Sequence, residues 1–314
     1  MGKRINRCIE LLELDQAIYY DGPHSGHVLT HAQGRIDAAT WADYMNVGME
    51  HGAFDMAGLA EYLHGMVDAG PTRSGHRTPA VIVEAPVNGI DAAHVRYNAW
   101  QFRQILGRGA HGILLCQAEN AAAVRAFVES CRYPHNTIGV DPDIPSPLAR
   151  MEGTRRGSGN GKLLDIGSRG RGSESTAAPV WGLSTEDYMD RCDPWPLNPK
   201  GELLLGVKLE SPEGVANCED ILSVPGLGFA EIGPGDLSLS LGYRTIPREP
   251  FPPEMQQARD RILAACRRCG VAFLQSCTAD NIITRIDEGV RVVAGHSEAA
   301  AIKGRAHQKR TLPV

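Results

Sequence analysis

Eight short apolar runs punctuate the 314-residue chain, and the recurring pattern is such a run, a turn and then a stretch with helical spacing. The runs are Ala17–Tyr20, Tyr44–Val47, Ala80–Val83, Gly112–Cys116, Leu203–Leu209, Phe229–Ile232, Val271–Gln275 and Val290–Ala294. They are apolar almost throughout instead of alternating with polar residues, the pattern of strands covered on both faces. Between them the spacing predicts helices over Met56–Met66, His94–Leu106, Ala121–Cys131, Glu213–Leu222, Pro253–Cys269 and Asp280–Asp287. Strands alternating with helices in this way predict an α/β fold, a (β/α)8 barrel, with residues 1–314 forming a single domain.

Residues 139–201 break the rhythm. They are rich in Gly, Pro, Arg and Ser, and include Arg155-Arg156-Gly-Ser-Gly-Asn-Gly and Gly167-Ser-Arg-Gly-Arg-Gly. A long connection between the fourth and fifth strands is either functional or unstructured, and the expectation is a lid over the catalytic face or a contact with a neighbouring subunit. Its glycines do not make a phosphate-binding loop. Gly161-Lys162 is followed by Leu163, and Arg156 stands where the upstream glycine is needed.

Charge narrows the partners. There are 32 Lys+Arg against 37 Asp+Glu, a formal net charge of −5, so the chain lacks the basic excess of a nucleic-acid binder. The eight cysteines are dispersed, and Cys266-Arg-Arg-Cys269 falls in a helical stretch with no second pair at zinc spacing. Those two read as helix positions one turn apart. Met1-Gly-Lys-Arg begins no apolar leader, and no run approaches the ~18 apolar residues of a membrane span, so a cytoplasmic location is expected, with no membrane partner.

The chemistry concentrates at strand ends. In Gly206-Val-Lys208-Leu-Glu210-Ser, strand alternation puts Lys208 and Glu210 on one side, and Ser211-Pro212-Glu213 starts a helix. Inward charges there need partners or a metal. After the next strand, Ile232-Gly-Pro-Gly235-Asp236-Leu-Ser-Leu-Ser offers a second carboxylate. Glu210 and Asp236 together suit a hard divalent cation completed by substrate oxygens; ion pairing or helix capping is the plainer use of the same residues. His51, in Met49-Glu50-His51-Gly52, is placed to serve as a general base.

These elements resemble the HpcH/HpaI family of class II pyruvate-type aldolases, the group that includes macrophomate synthase. The resemblance rests on Asp43-Tyr-Met-Asn-Val-Gly48-Met-Glu50-His51-Gly52, Val207-Lys208-Leu-Glu210-Ser211 and Gly233-Pro-Gly-Asp236-Leu-Ser-Leu-Ser-Leu-Gly242. Residues 109–134, ending in Cys131-Arg-Tyr-Pro134, add the family's fourth strand and its exit. The resemblance implies a barrel whose last helix is exchanged between subunits of a dimer-based trimer or hexamer. It implies a divalent cation held by Glu210 and Asp236, Mg²⁺ first, with Mn²⁺, Co²⁺ or Zn²⁺ as alternatives. The implied reaction is carbon–carbon cleavage beside a carbonyl of a 2-oxo acid through a metal-stabilised enolate, with His51 as base. The backbone N–H groups at Gly235 and Asp236, with Gly48 nearby, bind substrate on this reading.

The chain also departs from the family pattern. Gly48 stands where the family has Asp, and Gly107 where a carboxylate that orients the histidine is expected, with Glu119 as the substitute. Glu84, on the third strand, replaces the family's arginine, and Lys208 replaces its glutamine. This reads as a charge exchange: Glu84 and Lys208 pair, or Lys208 becomes the electrophilic cation, an acid/base group or a Schiff-base amine. Two other readings accompany the lyase: a hydratase, decarboxylase or hydrolase on the same scaffold, and a non-catalytic metabolite-binding descendant.

Overall fold

A computed structural model describes residues 4–152 and 163–314. The Arg155–Gly161 run and the Gly161-Lys162 pair read above lie outside the described residues. The strands are β1 (Ile18–Asp21), β2 (Tyr44–Gly48), β3 (Ala80–Asn88), β4 (Gly112–Cys116), β5 (Pro194–Trp195), β6 (Leu203–Lys208), β7 (Phe229–Glu231), β8 (Ala272–Ser276) and β9 (Val290–Ala294). All pairings are parallel; β1 pairs with β9 and β4 with β6, so eight strands close into a barrel and β5 is a two-residue addition beside β6. Each barrel strand starts within one residue of its apolar run.

Side chains two apart along each strand share a face. Ile18 and Tyr20, Ala80 and Ile82, with Leu204, Phe229 and Val292, therefore fill the barrel interior. Gly206 makes room for one of them, since a Cβ there would stand 2.4 Å from the Phe229 ring. The interior is closed from below by Cys8, Ile9 and Leu11 of the helix Arg7–Glu13. Counting two further positions along β3, β6 and β7 brings Glu84, Lys208 and Glu231 to the upper mouth, where the strands end.

The helices follow the expected spacing with informative breaks. Helices Ala121–Cys131 and Pro253–Cys269 have the expected bounds; Cys266 is buried and Cys269 exposed. The single helix expected over His94–Leu106 is two, Ala92–Tyr97 and Ala99–Arg108, and Glu213–Leu222 likewise divides into Pro212–Ala216 and Cys218–Leu222. Asn98 and Asn217, outside the helical region at the junctions, end the first segment and start the second. The C-terminal helix Glu298–His307 buries Ala300 and Ala301, and Gly304 packs so closely on Tyr19 that a Cβ would meet its hydroxyl.

The lid expected over residues 139–201 is not what the described part forms. It contains helices Pro147–Met151, Glu174–Trp181 and Thr185–Arg191. Trp181 donates its indole N–H to Gly109 O (2.9 Å) and stacks on His111, while Tyr188 donates to Leu106 O (2.9 Å). Both anchors precede β4, so the helices Glu174–Trp181 and Thr185–Arg191 pack on the wall and lower end of the barrel, not over its mouth. Pro179 inside one helix and Gly182 (φ 72°) ending it give helical sequence the composition of a loop.

Candidate active site

Glu84, wholly buried, is the hub of the mouth. Its Oε1 lies 2.6 Å from Nδ1 of His24 and 2.8 Å from the donating Nδ2 of Asn46, and its Oε2 accepts from Nζ of Lys208 at 3.1 Å. Burial works against its charge, but His24, Lys208 and Asn46 hold it below the ordinary carboxylate value. Lys208 donates a second hydrogen bond to Glu50 Oε2 at 2.7 Å. The Glu84–Lys208 pair expected from the sequence is therefore present, with Glu50 as a further partner.

Burial also opposes the lysine charge, yet the surrounding Cys116, Glu231, Glu84 and Glu210 raise Lys208 far above its ordinary value. The two carboxylates on Nζ, Glu50 at 2.7 Å and Glu84 at 3.1 Å, favour the charged form, whereas Schiff-base and general-base roles need the neutral amine.

Glu210 follows β6 and is 2% exposed. One carboxylate oxygen accepts the Gln117 N–H at 2.9 Å; the other lies so near Gly233 that a Cβ there would be 2.1 Å away. Among the described residues no cation lies within ion-pair distance. Burial, with the charges of Glu50 and Glu231, pushes its pKa well above the ordinary value despite Lys208 and the Gln117 N–H. Asp236 is half-buried on the first turn of the helix Pro234–Ser240, and its Oδ2 is 3.5 Å from Nε2 of His51. The same His51 nitrogen is 3.5 Å from Glu50.

Glu50 joins the two halves of the site. Its carboxylate comes within 4.8 Å of donor atoms of Cys116 and Glu210 on one side, and of His51 and Asp236 on the other. A divalent cation fits this donor set: the carboxylates are hard ligands, and buried Glu210 lacks the positive partner its charge requires.

Other expected site residues lie elsewhere in function or place. Gly48 is closed off, because a Cβ there would stand 1.9 Å from the carbonyl oxygen of His24; the turn after β1 takes the space assigned to substrate. Gly107 sits on the helix Ala99–Arg108 against Ser173, where a Cβ would be 2.7 Å from the serine Cβ, so no side chain there would reach His51. The carboxylates beside the His51 ring are Glu50 and Asp236. Glu119 lies on the turn after β4, its backbone bonded to Gly89 and Asn217. Gly235 is open, with its nearest neighbour at ordinary contact distance. Asp43, which opens the family motif, is at the lower end, where it accepts from Arg310.

Glu50 was legible only as part of the His51 motif, without a role, and three further residues at the mouth, Glu231, Asn46 and His24, had none assigned. Glu231, in register with Lys208, has one buried oxygen without a partner, and burial pushes its pKa up to about 7. Counting two from Phe229 would have found it. Asn46 follows from the same rule on β2. His24 had no such signal, because only the path of its turn brings it to Glu84.

The profile described as HpcH/HpaI aldolase/citrate lyase matches residues 87–301. The chain is 29% identical over 178 residues, 57% of its own length and 51% of the relative's, to 2-keto-3-deoxy-L-rhamnonate aldolase of Klebsiella pneumoniae. It is 26% identical over 230 residues, 73% of its length and 64% of the relative's, to hydroxypyruvate/pyruvate aldolase of Pseudomonas aeruginosa. The chain thus spans about half of most of the curated relatives it matches and just under two thirds of the Pseudomonas aeruginosa one. A solved HpcH/HpaI aldolase/citrate lyase family protein from Burkholderia cenocepacia J2315 shares the fold, with a TM-score of 0.62 and 21% identity over 94% of this chain and 93% of that one. Barrel, mouth and the profile spanning more than half of the sequence agree: the chain belongs to the HpcH/HpaI aldolase/citrate lyase family.

Proposed function

We propose that this protein is a metal-dependent carbon–carbon lyase of aldolase type, acting on a 2-oxo acid or related carbonyl compound. The observation that carries the reading is the buried, cation-less Glu210 facing Glu50, with Asp236 and His51 beside it. Glu210 and Asp236, joined by Glu50, would hold a divalent cation, Mg²⁺ in first place. When bound, that ion supplies Lewis-acid polarisation of the substrate's carbonyl, which makes an enolate accessible.

The chain's own groups do the rest. His51, half-exposed and beside two carboxylates, moves a proton to or from the substrate. The Lys208 ammonium takes the electrostatic role of the family's arginine, from β6 instead of β3. The Gly235 and Asp236 amides, on the first turn of their helix, bind the substrate carboxylate. Glu84 orients Lys208, and Glu119 is left outside the chemistry.

The same exchange of charges favours a second reading, a hydratase, decarboxylase or hydrolase with a substrate other than pyruvate. Stripping metal with EDTA and restoring it separates both from a non-catalytic binder. The proposal expects bound divalent ion, cleavage of a 4-hydroxy-2-oxo acid, loss of turnover on stripping and recovery on add-back. Unchanged turnover after complete stripping contradicts it.

The substrate is a small molecule, and the working form proposed is a dimer-based trimer or hexamer. The small-residue face of helix Glu298–His307 would suit exchange onto a partner's barrel. Sedimentation should then find a species larger than the 33.9 kDa monomer. Eight unpaired cysteines suit a reducing cytoplasm.

A further inference from the structure

We propose that His24 is a positioning residue, acting through Glu84 to hold the Lys208 ammonium at the centre of the mouth. The proposal rests on the lyase reading only for what Lys208 does to substrate. The geometry is a continuous chain across the site. The Tyr20 hydroxyl is 3.2 Å from Nε2 of His24; Nδ1 is 2.6 Å from Glu84 Oε1; Glu84 Oε2 is 3.1 Å from Lys208 Nζ; and Nζ is 2.7 Å from Glu50. Both ring nitrogens are held, one by a buried phenol and one by a buried carboxylate.

The backbone is shaped to admit this ring. His24 lies between Gly22 (φ 108°) and Gly26 (φ 111°), conformations that favour glycine. A Cβ at Gly22 would stand 2.2 Å from Asn46 O, one at Gly48 1.9 Å from His24 O, and one at Gly52 2.6 Å from Gly26 Cα. Glycines on both segments therefore let the turn lie directly on the end of β2. A simple connection from β1 to the outer helix needs no such approach.

The seat matters because a carboxylate has two oxygens and a rotatable end. His24 and Asn46 fix Oε1, which leaves Oε2 aimed at Lys208. Fully satisfied buried networks are rigid, and a fixed charge works only when held within about 0.5 Å of its productive place. With His24 gone, Oε1 has lost its short bond, the carboxylate can turn, and the ammonium follows it.

The test compares wild type, His24→Ala, His24→Asn and Glu84→Gln as full-length metal-loaded proteins. Asparagine carries its amide on the same carbon that carries Nδ1, so it can donate to Glu84 without an imidazole. The first readout is acetylation of Lys208 by acetic anhydride, measured by peptide mass spectrometry against exposed Lys200, Lys303 and Lys309. His24→Ala and Glu84→Gln should raise relative labelling at Lys208 by about fivefold or more, and His24→Asn should return most of the protection. The second readout is exchange of pyruvate methyl protons in D₂O, where His24→Ala should lower kcat about tenfold with KM within about twofold. A lower melting temperature with wild-type labelling of Lys208 would mean His24 serves stability alone, and the proposal is wrong. If His24→Ala does not fold, Glu84→Gln and His24→Asn carry the comparison: equal labelling in both overturns it. A wild-type protein that exchanges no methyl protons sinks the lyase reading, while the labelling result still decides the role of His24.

Discussion

At the lower end of the barrel, where strands begin, the two fully buried aspartates, Asp43 and Asp193, have guanidinium partners. Asp43 accepts from Arg310 and the Tyr19 N–H, with Arg7 at 3.3 Å and Arg305 at 3.6 Å. Asp193 takes two bonds from Arg132, at 2.7 and 3.0 Å. At the upper end Glu50, Glu84, Glu210 and Glu231 surround Lys208, with Asp236, His24 and His51 at the rim. The lower end is neutralised internally; the upper end is short of positive charge. In barrels of this kind stability is built below and chemistry above, and here the division is written in charge.

Substitutions should therefore have opposite signatures at the two ends. The largest effect is expected from Glu210→Gln, which should lower turnover by about 10³-fold or more while leaving thermal stability of the metal-free protein unchanged or higher, because a buried carboxyl with no cation beside it is replaced by a neutral amide of the same shape. Turnover assays beside melting curves check it; a large loss of stability would place Glu210 with the lower-end pairs. Asp43→Ala should do the reverse. It strands three arginines and should cost about 3–5 kcal/mol in urea unfolding, with no loss of metal affinity in the folded fraction.

Lys208→Met comes next. It removes the central cation and should reduce kcat by about 10²–10³-fold, with Lys208→Arg recovering part. A variant with wild-type kcat would confine Lys208 to pairing with carboxylates.

Two pH effects sharpen the contrast. His111, buried below, accepts the Val81 N–H on Nδ1, and burial lowers its pKa from 6.5 to about 3. The unfolded chain takes up a proton near 6.5 and the folded one does not, so stability should fall between pH 6.5 and 3, by at most about 1.4 kcal/mol per pH unit. His111→Gln should flatten that slope in urea titrations. His24, above, is raised from 6.5 by its bond to Glu84, against the opposing effects of burial and Lys208, with Glu231 adding to the rise. Its stabilisation should be complete below pH 6.5 and fade as pH climbs through the higher folded value, a smaller effect in a half-exposed group. An NMR titration placing His24 at or below 6.5 would break the pairing.

The lower end was harder to read from sequence than the upper. Strand periodicity carries Lys208 and Glu210, because inward positions two apart are fixed by geometry wherever a strand is recognised, and the Glu84 partnership comes from the exchange of charges against the family pattern. Periodicity would have carried Glu231 too. The helix Arg7–Glu13 was missed because only burial beneath the barrel gives it a partner, and the helices within 139–201 were hidden by Pro179 and Gly182. His24 depends on a turn whose course is set by close contacts between glycines, which leave no periodic signal. Gly107, named from the family resemblance as the place of a carboxylate that orients the histidine, is on an outer helix against Ser173 and away from the mouth.

The central claim is that the charge-deficient mouth works with a divalent cation to make an enolate. The most direct measurement is proton NMR of pyruvate in D₂O with the protein stripped of metal and then supplied with Mg²⁺ or Mn²⁺. The account predicts methyl-proton exchange that needs the added ion and disappears in Glu210→Gln. Absence of exchange with every divalent metal tried, or exchange that survives stripping and Glu210→Gln alike, would contradict it.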